Sequence, residues 1–300
     1  MKPAYFYIIL GAGLWGTISW YVKNLYTYGF TPMEVVILRV WTTAILLVIF
    51  LLGFARNKLK LASLKDIRYF IGTGIFSIAF FNFCLFTAME LSTIPVATAL
   101  LYTAPAFVTI FSAIFFGESL TKGKMIALVL TLIGTCLVVG VIPLNLTAVS
   151  YNAILFGLGS GLGYSLYSIF SKFALNKYSS LSITTFTFIT AAVTLSPFFP
   201  FVQKGELLSN PAVLFYAFGL GFLPTAFAYI IYTYGLNRTE ASKASILSTV
   251  EPVVATLIGI FLFQEVFTLL QMLGMICIIG AVLFIQVIAE KPYTSSRQIS

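Results

Sequence analysis

The sequence predicts an all-α membrane protein in which ten transmembrane helices form a 5+5 inverted-topology repeat. Three observations support this fold class: an apolar composition, ten apolar stretches of membrane-spanning length, and a segment that occurs twice. Of the 300 residues, 60% are hydrophobic and 9% are charged, whereas soluble domains carry roughly 25% charged residues. So few charges cannot cover the surface of soluble domains. The stretches are also too continuous for the alternating strands of an outer-membrane barrel.

The apolar stretches divide the chain into ten predicted spans, each close to the roughly 20 residues with which a helix crosses a bilayer. The connections between them are short, so we expect no soluble domain with separate chemistry. In chain order the predicted spans are Tyr5–Tyr21, Met33–Phe54, Tyr69–Ala88, Pro95–Phe116, Lys124–Ile142, Ala153–Ser171, Leu181–Pro200, Ala212–Gly235, Ala244–Phe263 and Thr268–Ile288.

One segment of the chain occurs twice, as Pro95–Thr121 and again as Ser242–Thr268. Each copy is an apolar run with a proline near its middle and a glutamate at its far end. Because apolar residues match one another by chance, the shared register of proline and glutamate is what indicates an internal duplication. The identical pairs are Ala97 and Ala244, Pro105 and Pro252, Thr109 and Thr256, Phe116 and Phe263, Glu118 and Glu265, Thr121 and Thr268, and Met125 and Met272.

The offset between the copies is about half the chain, so each repeat contains five spans. An odd number of crossings inserts the second repeat into the membrane upside down, an arrangement found in alternating-access transporters. We expect residues 1–147 to form the first five-helix repeat, 148–290 the second, inverted repeat, and 291–300 a short cytoplasmic tail.

The basic residues predict the orientation. With the N-terminus inside, most of the 17 Lys and Arg lie on cytoplasmic segments, and the largest group lies between Arg56 and Arg68. Only Lys23 and Lys204 lie on the outer side. This asymmetry predicts a multi-pass protein of the cell (inner or plasma) membrane with both termini cytoplasmic. The net charge of +8 therefore faces anionic lipid, which argues against nucleic-acid binding.

Four of the predicted spans each contain a short motif. They are Trp15-Gly16 in span one, Arg39 in span two, Gly117-Glu118 at the end of span four, and Glu251-Pro252 with terminal Glu265 in span nine. With the five-plus-five arrangement, they resemble the drug/metabolite transporter superfamily, specifically the amino-acid and metabolite efflux branch of its EamA-type ten-helix exporters. One departure is Gln264, where that family usually has glycine before the terminal glutamate.

The resemblance implies an architecture and an activity. Spans one to four and six to nine would enclose a central cavity, and spans five and ten would brace the outside. The family moves metabolites, amino acids or drugs outward, by proton exchange or by facilitated diffusion. The expected partners are thus a small-molecule substrate, the lipid bilayer and protons as a candidate coupling ion. Whether two copies of the chain form a homodimer is left undecided by the sequence.

Glu251 is the acidic residue predicted to lie deepest in the membrane. It lies about seven residues into span nine, or roughly 10 Å at 1.5 Å per residue, inside a hydrocarbon core of ~30 Å. An ionised carboxylate there must pair, face water or keep its proton. Pro252 frees a backbone carbonyl about one turn earlier, and Pro252 and Pro105 are predicted helix hinges. Glu251 is either a proton-coupling or amine-binding site, or a structural glutamate that is protonated or bridges helices.

Arg39 is the basic residue predicted to lie within a span. A guanidinium at that depth can hold a substrate carboxylate in a bidentate pair. It can also be a structural partner of Glu34, Glu90 or Glu251, or extend outward to the interface. The structural role is the favoured one.

Glu118 and Glu265 are predicted to end their spans at opposite faces of the membrane. We expect both to be hydrogen-bond partners of loops and helix ends. Their mirrored placement would also suit a pair of gates, which is the less favoured interpretation.

Six further polar or aromatic side chains lie within spans, away from the interfacial belt where Tyr and Trp are common. A buried hydroxyl or amide needs a hydrogen-bond partner, which a water-filled cavity supplies. As a group they predict a substrate-binding lining, and hydrogen bonding between helices is the alternative for any one of them. They are Trp15, Asn82, Tyr102, Tyr164, Tyr167 and Tyr229.

Histidine is absent, and Cys84, Cys136 and Cys277 lie inside apolar stretches. We therefore expect no metal site, no cofactor and no enzyme activity, because neither metal ligands nor a nucleophile–base pair is evident. The predicted function is a secondary transporter that exports small metabolites, amino acids among them, by alternating access. A passive facilitator or channel for small organic solutes is the alternative, since a polar-lined path serves both.

Overall fold

The computed structural model describes residues 3–140 and 150–287, and these residues form helices and connections without any strand. The predicted tail at 291–300 lies outside the described residues. The predicted all-α class is confirmed for the part of the chain that the structure describes.

In the first half of the chain, short 3-10 turns at Arg56–Leu59 and Leu64–Asp66 connect the second span to the third. A π-helix, Gly72–Ala79, joins α4 to α5 within the third span. The α-helices are α1 (Pro3–Gly16), α2 (Ile18–Thr27), α3 (Pro32–Phe54), α4 (Ile67–Ile71), α5 (Phe80–Leu91), α6 (Ile94–Leu101), α7 (Ala104–Phe116) and α8 (Lys122–Val138).

The second half follows a similar order. Short turns at Ser196–Phe198 and Glu206–Ser209 lie between the seventh and eighth spans, and a π-helix, Phe222–Phe227, joins α12 to α13. The α-helices are α9 (Tyr151–Ala174), α10 (Ser180–Leu195), α11 (Phe201–Lys204), α12 (Pro211–Gly221), α13 (Ala228–Leu236), α14 (Ala241–Ser248), α15 (Val250–Phe263) and α16 (Leu269–Val287).

Eight helical segments among the described residues are long and apolar enough to cross a membrane. The other two predicted spans are present but interrupted or shorter. The first divides into α1 and α2 at Thr17, whose hydroxyl donates to the Leu14 carbonyl at 2.7 Å. The fifth is α8, with 17 residues. Each half of the chain therefore supplies five spans, which confirms the predicted ten-helix fold with two repeats.

The fourth and ninth spans are each broken just before a proline. Tyr102 and Thr103 separate α6 from α7, and Pro105 lies in the first turn of α7. Thr249 separates α14 from α15, and Pro252 lies in the first turn of α15. The first turn of a helix tolerates proline because its amide hydrogens have no partner within the helix. The two copies of the repeated segment thus share a break as well as a proline.

The third and eighth spans each contain one of the π-helices. In the π-helix of the eighth span, the Thr225 hydroxyl donates to the Leu220 carbonyl five residues earlier, at 2.7 Å. π-Helical turns inside α-helices occur frequently at functional sites. Ser77, in the first π-helix, has a buried side chain and lines a cavity together with the aromatic residues described below.

The two halves exchange their first helices. α1 packs against α13, α14 and α15 of the second half, whereas α9 packs against α5, α6 and α7 of the first. α8 packs along α16, where a Cβ atom on Gly134 would lie 2.9 Å from the Gly274 carbonyl oxygen. Small residues allow this close approach of two helices. The interface between the halves therefore includes α1, α9 and the pair α8 and α16.

Candidate functional site

Aromatic rings from three helices meet where the halves join. Trp15 of α1 lies against Tyr229 and Tyr232 of α13, with ring centroids 4.9 and 4.8 Å away. Its centroid is 6.1 Å from that of Tyr164 on α9. Tyr167, also on α9, meets the Tyr229 ring edge-on at 4.8 Å. Aromatic pairs at these separations attract one another beyond the area they bury. Four of the predicted site residues therefore form one cluster.

Glu251 reaches this cluster from the break in the ninth span. It lies in the first turn of α15, where the helix dipole favours a negative charge. Its carboxylate accepts a hydrogen bond of 2.9 Å from the Tyr164 hydroxyl. Gly16, the residue after Trp15, permits the approach: a Cβ atom there would lie 2.8 Å from the Glu251 carbonyl oxygen. The packing explains why glycine follows Trp15: α1 lies directly on the start of α15, and a side chain at position 16 would prevent this contact.

Arg39 reaches the cluster from α3. Its side chain is buried, and Nη2 donates to the Tyr229 hydroxyl at 3.4 Å. Among the described residues Arg39 has no carboxylate partner. Glu34 instead accepts a hydrogen bond from the Thr31 amide in a capping box at the start of α3. A salt bridge of Arg39 with Glu34, Glu90 or Glu251 was one of the alternatives for this residue, and none is present among the described residues. The guanidinium contacts the Tyr229 hydroxyl and lies within electrostatic range of Glu251.

Three buried donors at this centre have no hydrogen-bond partner in the described part of the chain: Trp15 Nε1, Ser77 Oγ and Arg39 Nε. Buried polar groups are nearly always satisfied, so each of these indicates a partner that the protein does not supply. Two of them line a cavity of about 10 Å³, enough for about one water molecule. Its walls are Trp15, Ser77, Phe81, Tyr164, Tyr167, Ser168, Tyr229 and Tyr232.

Two tyrosines of the cluster connect α9 to α13 through their hydroxyls. Tyr167 shares a hydrogen bond of 2.7 Å with Thr233, and Tyr232 shares one of 2.8 Å with Ser168. Tyr232 and Ser77 were not predicted. Tyr232 could have been found from its position three residues after Tyr229, which places both on one helix face.

Asn82 and Tyr102 lie apart from the cavity wall. Asn82 is buried, but its amide donates to the Ile78 carbonyl of the same span at 2.7 Å. Tyr102 is buried at the break between α6 and α7. The structure brings together Trp15, Tyr164, Tyr167, Tyr229, Arg39 and Glu251, of which Arg39 and Glu251 also lie outside the cavity lining. Tyr102 lies within electrostatic range of Glu251 and Tyr164, whereas Asn82 is bonded within its own span.

Glu118 connects the halves at one end of the bundle. It is 8% exposed, and its carboxylate accepts hydrogen bonds from the backbone amides of Ala241 and Ser242 at 2.6 and 3.1 Å. These amides begin α14, where a carboxylate satisfies free N–H groups and complements the helix dipole. Nearby, Lys172 donates to the Leu236 carbonyl at 2.7 Å. This end is closed by buried hydrogen bonds.

Glu265, the counterpart of Glu118, connects the halves at the other end. It forms an ion pair with Lys23 of α2. Lys23 also lies 3.9 Å from the centroid of the Phe263 ring. This contact was not predicted, because Lys23 carries no motif and its partner is distant in sequence.

The same helix termination precedes both glutamates. The amide of Glu118 donates to the Ser112 carbonyl at 3.3 Å, and that of Glu265 donates to the Gly259 carbonyl at 3.1 Å. The residue before each has a left-handed backbone: φ is 66° at Gly117 and 52° at Gln264. Helices commonly end in this way.

Comparisons with known proteins agree with this architecture. The EamA-like transporter family matches the chain twice, over residues 2–140 and 151–287. The chain belongs to the EamA-like transporter family. It is a membrane transporter with two copies of the family's repeat.

The relatives carry the same general description. An uncharacterized transporter of Archaeoglobus fulgidus is 32% identical over 92% of this chain and 93% of its own length. The uncharacterized transporter YdfC of Bacillus subtilis is 26% identical over 85% of this chain and 82% of its own. A crystal structure of a protein with 18% identity covers 95% of this chain and 99% of its own with a TM-score of 0.75, which supports the fold.

Proposed function

We propose that the chain is a secondary transporter that exports small metabolites by alternating access between its two halves. One observation carries the proposal. Glu251 and Arg39, of opposite charge, reach the same aromatic cluster, through Tyr164 and Tyr229 respectively. Ionisable side chains at membrane depth are unfavourable and mark substrate or ion pathways. The cluster is therefore the proposed substrate site.

The chemistry of this site suits a small zwitterion such as an amino acid. A substrate ammonium would pair with Glu251, and a carboxylate would pair with the guanidinium of Arg39. The aromatic rings would contact the apolar part of the solute, and their faces also attract cations. Trp15 Nε1 and Ser77 Oγ, which are buried and have no hydrogen-bond partner within residues 3–140 and 150–287, supply further donors. Glu251 would alternatively carry a proton in exchange for the substrate.

The two ends of the bundle supply the gates that alternating access requires. Glu118 closes one end against α14, and Glu265 closes the other against Lys23. Carriers built from repeats open one central site to either side by rocking one unit against the other. The breaks before Pro105 and Pro252 would act as hinges for this motion.

The first experiment identifies the substrate. Cells that overexpress the chain are screened for metabolites that accumulate outside, and each hit is tested in liposomes containing the purified protein. Counterflow then separates the two classes of mechanism. A carrier is stimulated by unlabelled solute on the opposite side, whereas a passive pore is not, so the absence of trans-stimulation would overturn alternating access.

The second experiment tests proton coupling at Glu251. Flux is measured with and without a pH gradient in the original chain, in Glu251→Gln and in a control, Glu206→Gln. Glu206 lies in the turn Glu206–Ser209, away from the cluster. If Glu251 carries the proton, only Glu251→Gln abolishes the gradient-driven component. An unchanged response in Glu251→Gln would remove this residue from the coupling step.

A further inference from the structure

A second pocket lies outside the aromatic cluster, where the connection after α3 meets the start of α10. Its volume is about 350 Å³, and it opens to the surface on the side predicted to be cytoplasmic. Its lining is rich in hydrogen-bond donors and positive charge. The donors are Asn57, Lys58, Lys60, Lys177, Ser179 and Ser182.

The pocket is held by buried hydrogen bonds, so it is a built site. Tyr178 is buried, and its hydroxyl donates to the Asp66 carboxylate at 2.9 Å while accepting the Ala62 amide hydrogen at 2.8 Å. Lys177 donates to the same carboxylate at 3.0 Å. Asp66 is itself 1% exposed. These contacts fix the connection after α3 to the connection between α9 and α10.

The charge of the pocket is not balanced within it. Lys177 is paired with Asp66, whereas Lys58 and Lys60 are exposed and have no side-chain partner among the described residues. The pocket also borders the start of α10, where Ser179 accepts a hydrogen bond from the Ser182 amide. The helix dipole there favours an anion. Two free ammonium groups, an amide and a serine hydroxyl suit a group with several acceptor oxygens.

We propose that this pocket binds a phosphate group, carried by an anionic phospholipid or by a soluble phosphate. The surroundings suit a lipid, because Phe54 and Leu64, which flank the lining residues 57–62 in the sequence, are 82% and 79% exposed. Apolar side chains at that level contact acyl chains when the pocket holds the headgroup. Basic pockets between helices on the cytoplasmic side are known to bind anionic headgroups.

The experiment measures binding by the full-length chain in detergent after removal of bound lipid. Retention of phosphatidylglycerol is compared with that of phosphatidylcholine by native mass spectrometry. Inorganic phosphate is then added as a competitor, with chloride at matched ionic strength as its control. We expect phosphatidylglycerol to be retained in preference and to be displaced by phosphate more than by chloride.

A matched pair of variants localises the site. Lys58→Gln with Lys60→Gln removes two charges that line the pocket. Lys65→Gln with Arg68→Gln removes two nearby charges outside its lining, one in the turn Leu64–Asp66 and one in α4. We expect the first pair to weaken binding about tenfold or more and the second about threefold or less, because nearby lysines attract anionic lipid even without contact.

Each outcome has a definite meaning. Binding of inorganic phosphate that the pocket pair abolishes, without a preference for phosphatidylglycerol, supports a phosphate site for soluble ligands. Equal losses in the two pairs, or no response of the original chain to phosphatidylglycerol and phosphate, overturn the proposal. The displacement experiment uses the original chain alone, so its failure overturns the proposal even if a variant does not fold.

Discussion

Lys23 of the first half forms an ion pair with Glu265 of the second, and the two side chains are 45% and 54% exposed. At the opposite end Glu118 is buried and accepts hydrogen bonds from two backbone amides. Exposed ion pairs contribute about 0–1 kcal/mol, whereas hydrogen bonds to a charged group contribute roughly 1.5–3 kcal/mol. The end closed by Lys23 and Glu265 is therefore the weaker of the two.

This asymmetry predicts which end opens first. In a chain without Cys84, Cys136 and Cys277, Ser77→Cys places a thiol in the wall of the central cavity. Adding Lys23→Gln should raise its labelling by a membrane-impermeant maleimide in intact cells, by up to about fivefold, since the lost pair is worth about 1 kcal/mol at most. The rate of labelling is the measurement.

Glu118→Gln in the same background is the matched control. It weakens the end predicted to be cytoplasmic, so it should leave labelling from outside unchanged or lower it. If Glu118→Gln raises external labelling and Lys23→Gln does not, the two ends have been assigned to the wrong faces of the membrane.

The left-handed backbone at Gln264 predicts a stabilising substitution. Its φ of 52° is unfavourable for a residue with a Cβ atom, whereas Gly117 has a φ of 66° at the equivalent position of the first repeat. We expect Gln264→Gly to raise the free energy of unfolding by about 0.5–1 kcal/mol, because it removes this strain. Thermal unfolding in detergent measures the change.

The reciprocal substitution is the control for that strain. Gly117→Ala introduces a Cβ atom at a left-handed position, and open space surrounds it. It should therefore lower stability by about 1 kcal/mol through the backbone alone. If Gln264→Gly instead lowers the free energy of unfolding, the contacts of the glutamine side chain stabilise the protein by more than its backbone strain destabilises it.

The sequence predicts the number of spans and helix hinges at Pro105 and Pro252, close to the breaks that the structure shows, because composition and proline chemistry are local. It does not predict the break at Thr17, where no proline interrupts the apolar run, or the π-helix at Gly72–Ala79. A π-helix changes the hydrogen-bond register without changing the apolar pattern, so hydrophobic periodicity cannot reveal it.

The candidate site was predictable by residue type, and its pairings were not. Buried tyrosines and a mid-span carboxylate indicate a polar centre wherever they occur in an apolar span. Which of them meet depends on how each helix is rotated. Arg39 therefore contacts Tyr229 instead of a carboxylate, and Lys23 meets a glutamate from the far end of the chain.

The hydrogen bond from Tyr164 to Glu251 predicts a transport defect. Tyr164→Phe removes the donor and leaves the Glu251 carboxylate without a hydrogen-bond partner among the described residues. A loss of about 1.4 kcal/mol corresponds to a tenfold slower step, so we expect exchange in liposomes to fall about tenfold. Tyr151→Phe, at a side chain that is 77% exposed, is the control and should change nothing.

A double-mutant cycle separates this contact from general damage. If Tyr164 acts through Glu251, Tyr164→Phe combined with Glu251→Gln should be no slower than Glu251→Gln alone. Fully additive losses would show that the two residues act independently, and the hydrogen bond would then have no part in transport.

The connection between α9 and α10 predicts a loss of stability at alkaline pH. The hydrogen bond to Asp66 raises the pKa of Lys177 above its ordinary value of 10.5, and burial raises the pKa of Tyr178 above 10.0. Both groups hold their protons more tightly when folded than when unfolded. Their contribution to stability is complete below the unfolded values and is lost as pH rises through the folded ones.

We therefore expect the melting temperature of the original chain to fall more steeply from pH 10 upward than that of Lys177→Gln with Tyr178→Phe. The measurement is thermal unfolding in detergent across this range. The control, Lys65→Gln with Tyr151→Phe, removes one exposed lysine and one exposed tyrosine and should decline like the original chain. The contrary outcome is a melting temperature that declines equally in the original chain and in both double variants. Groups whose pKa values are equal in the folded and unfolded states leave the pH dependence of stability unchanged, so this outcome would show that the contacts of Lys177 and Tyr178 do not stabilise the fold.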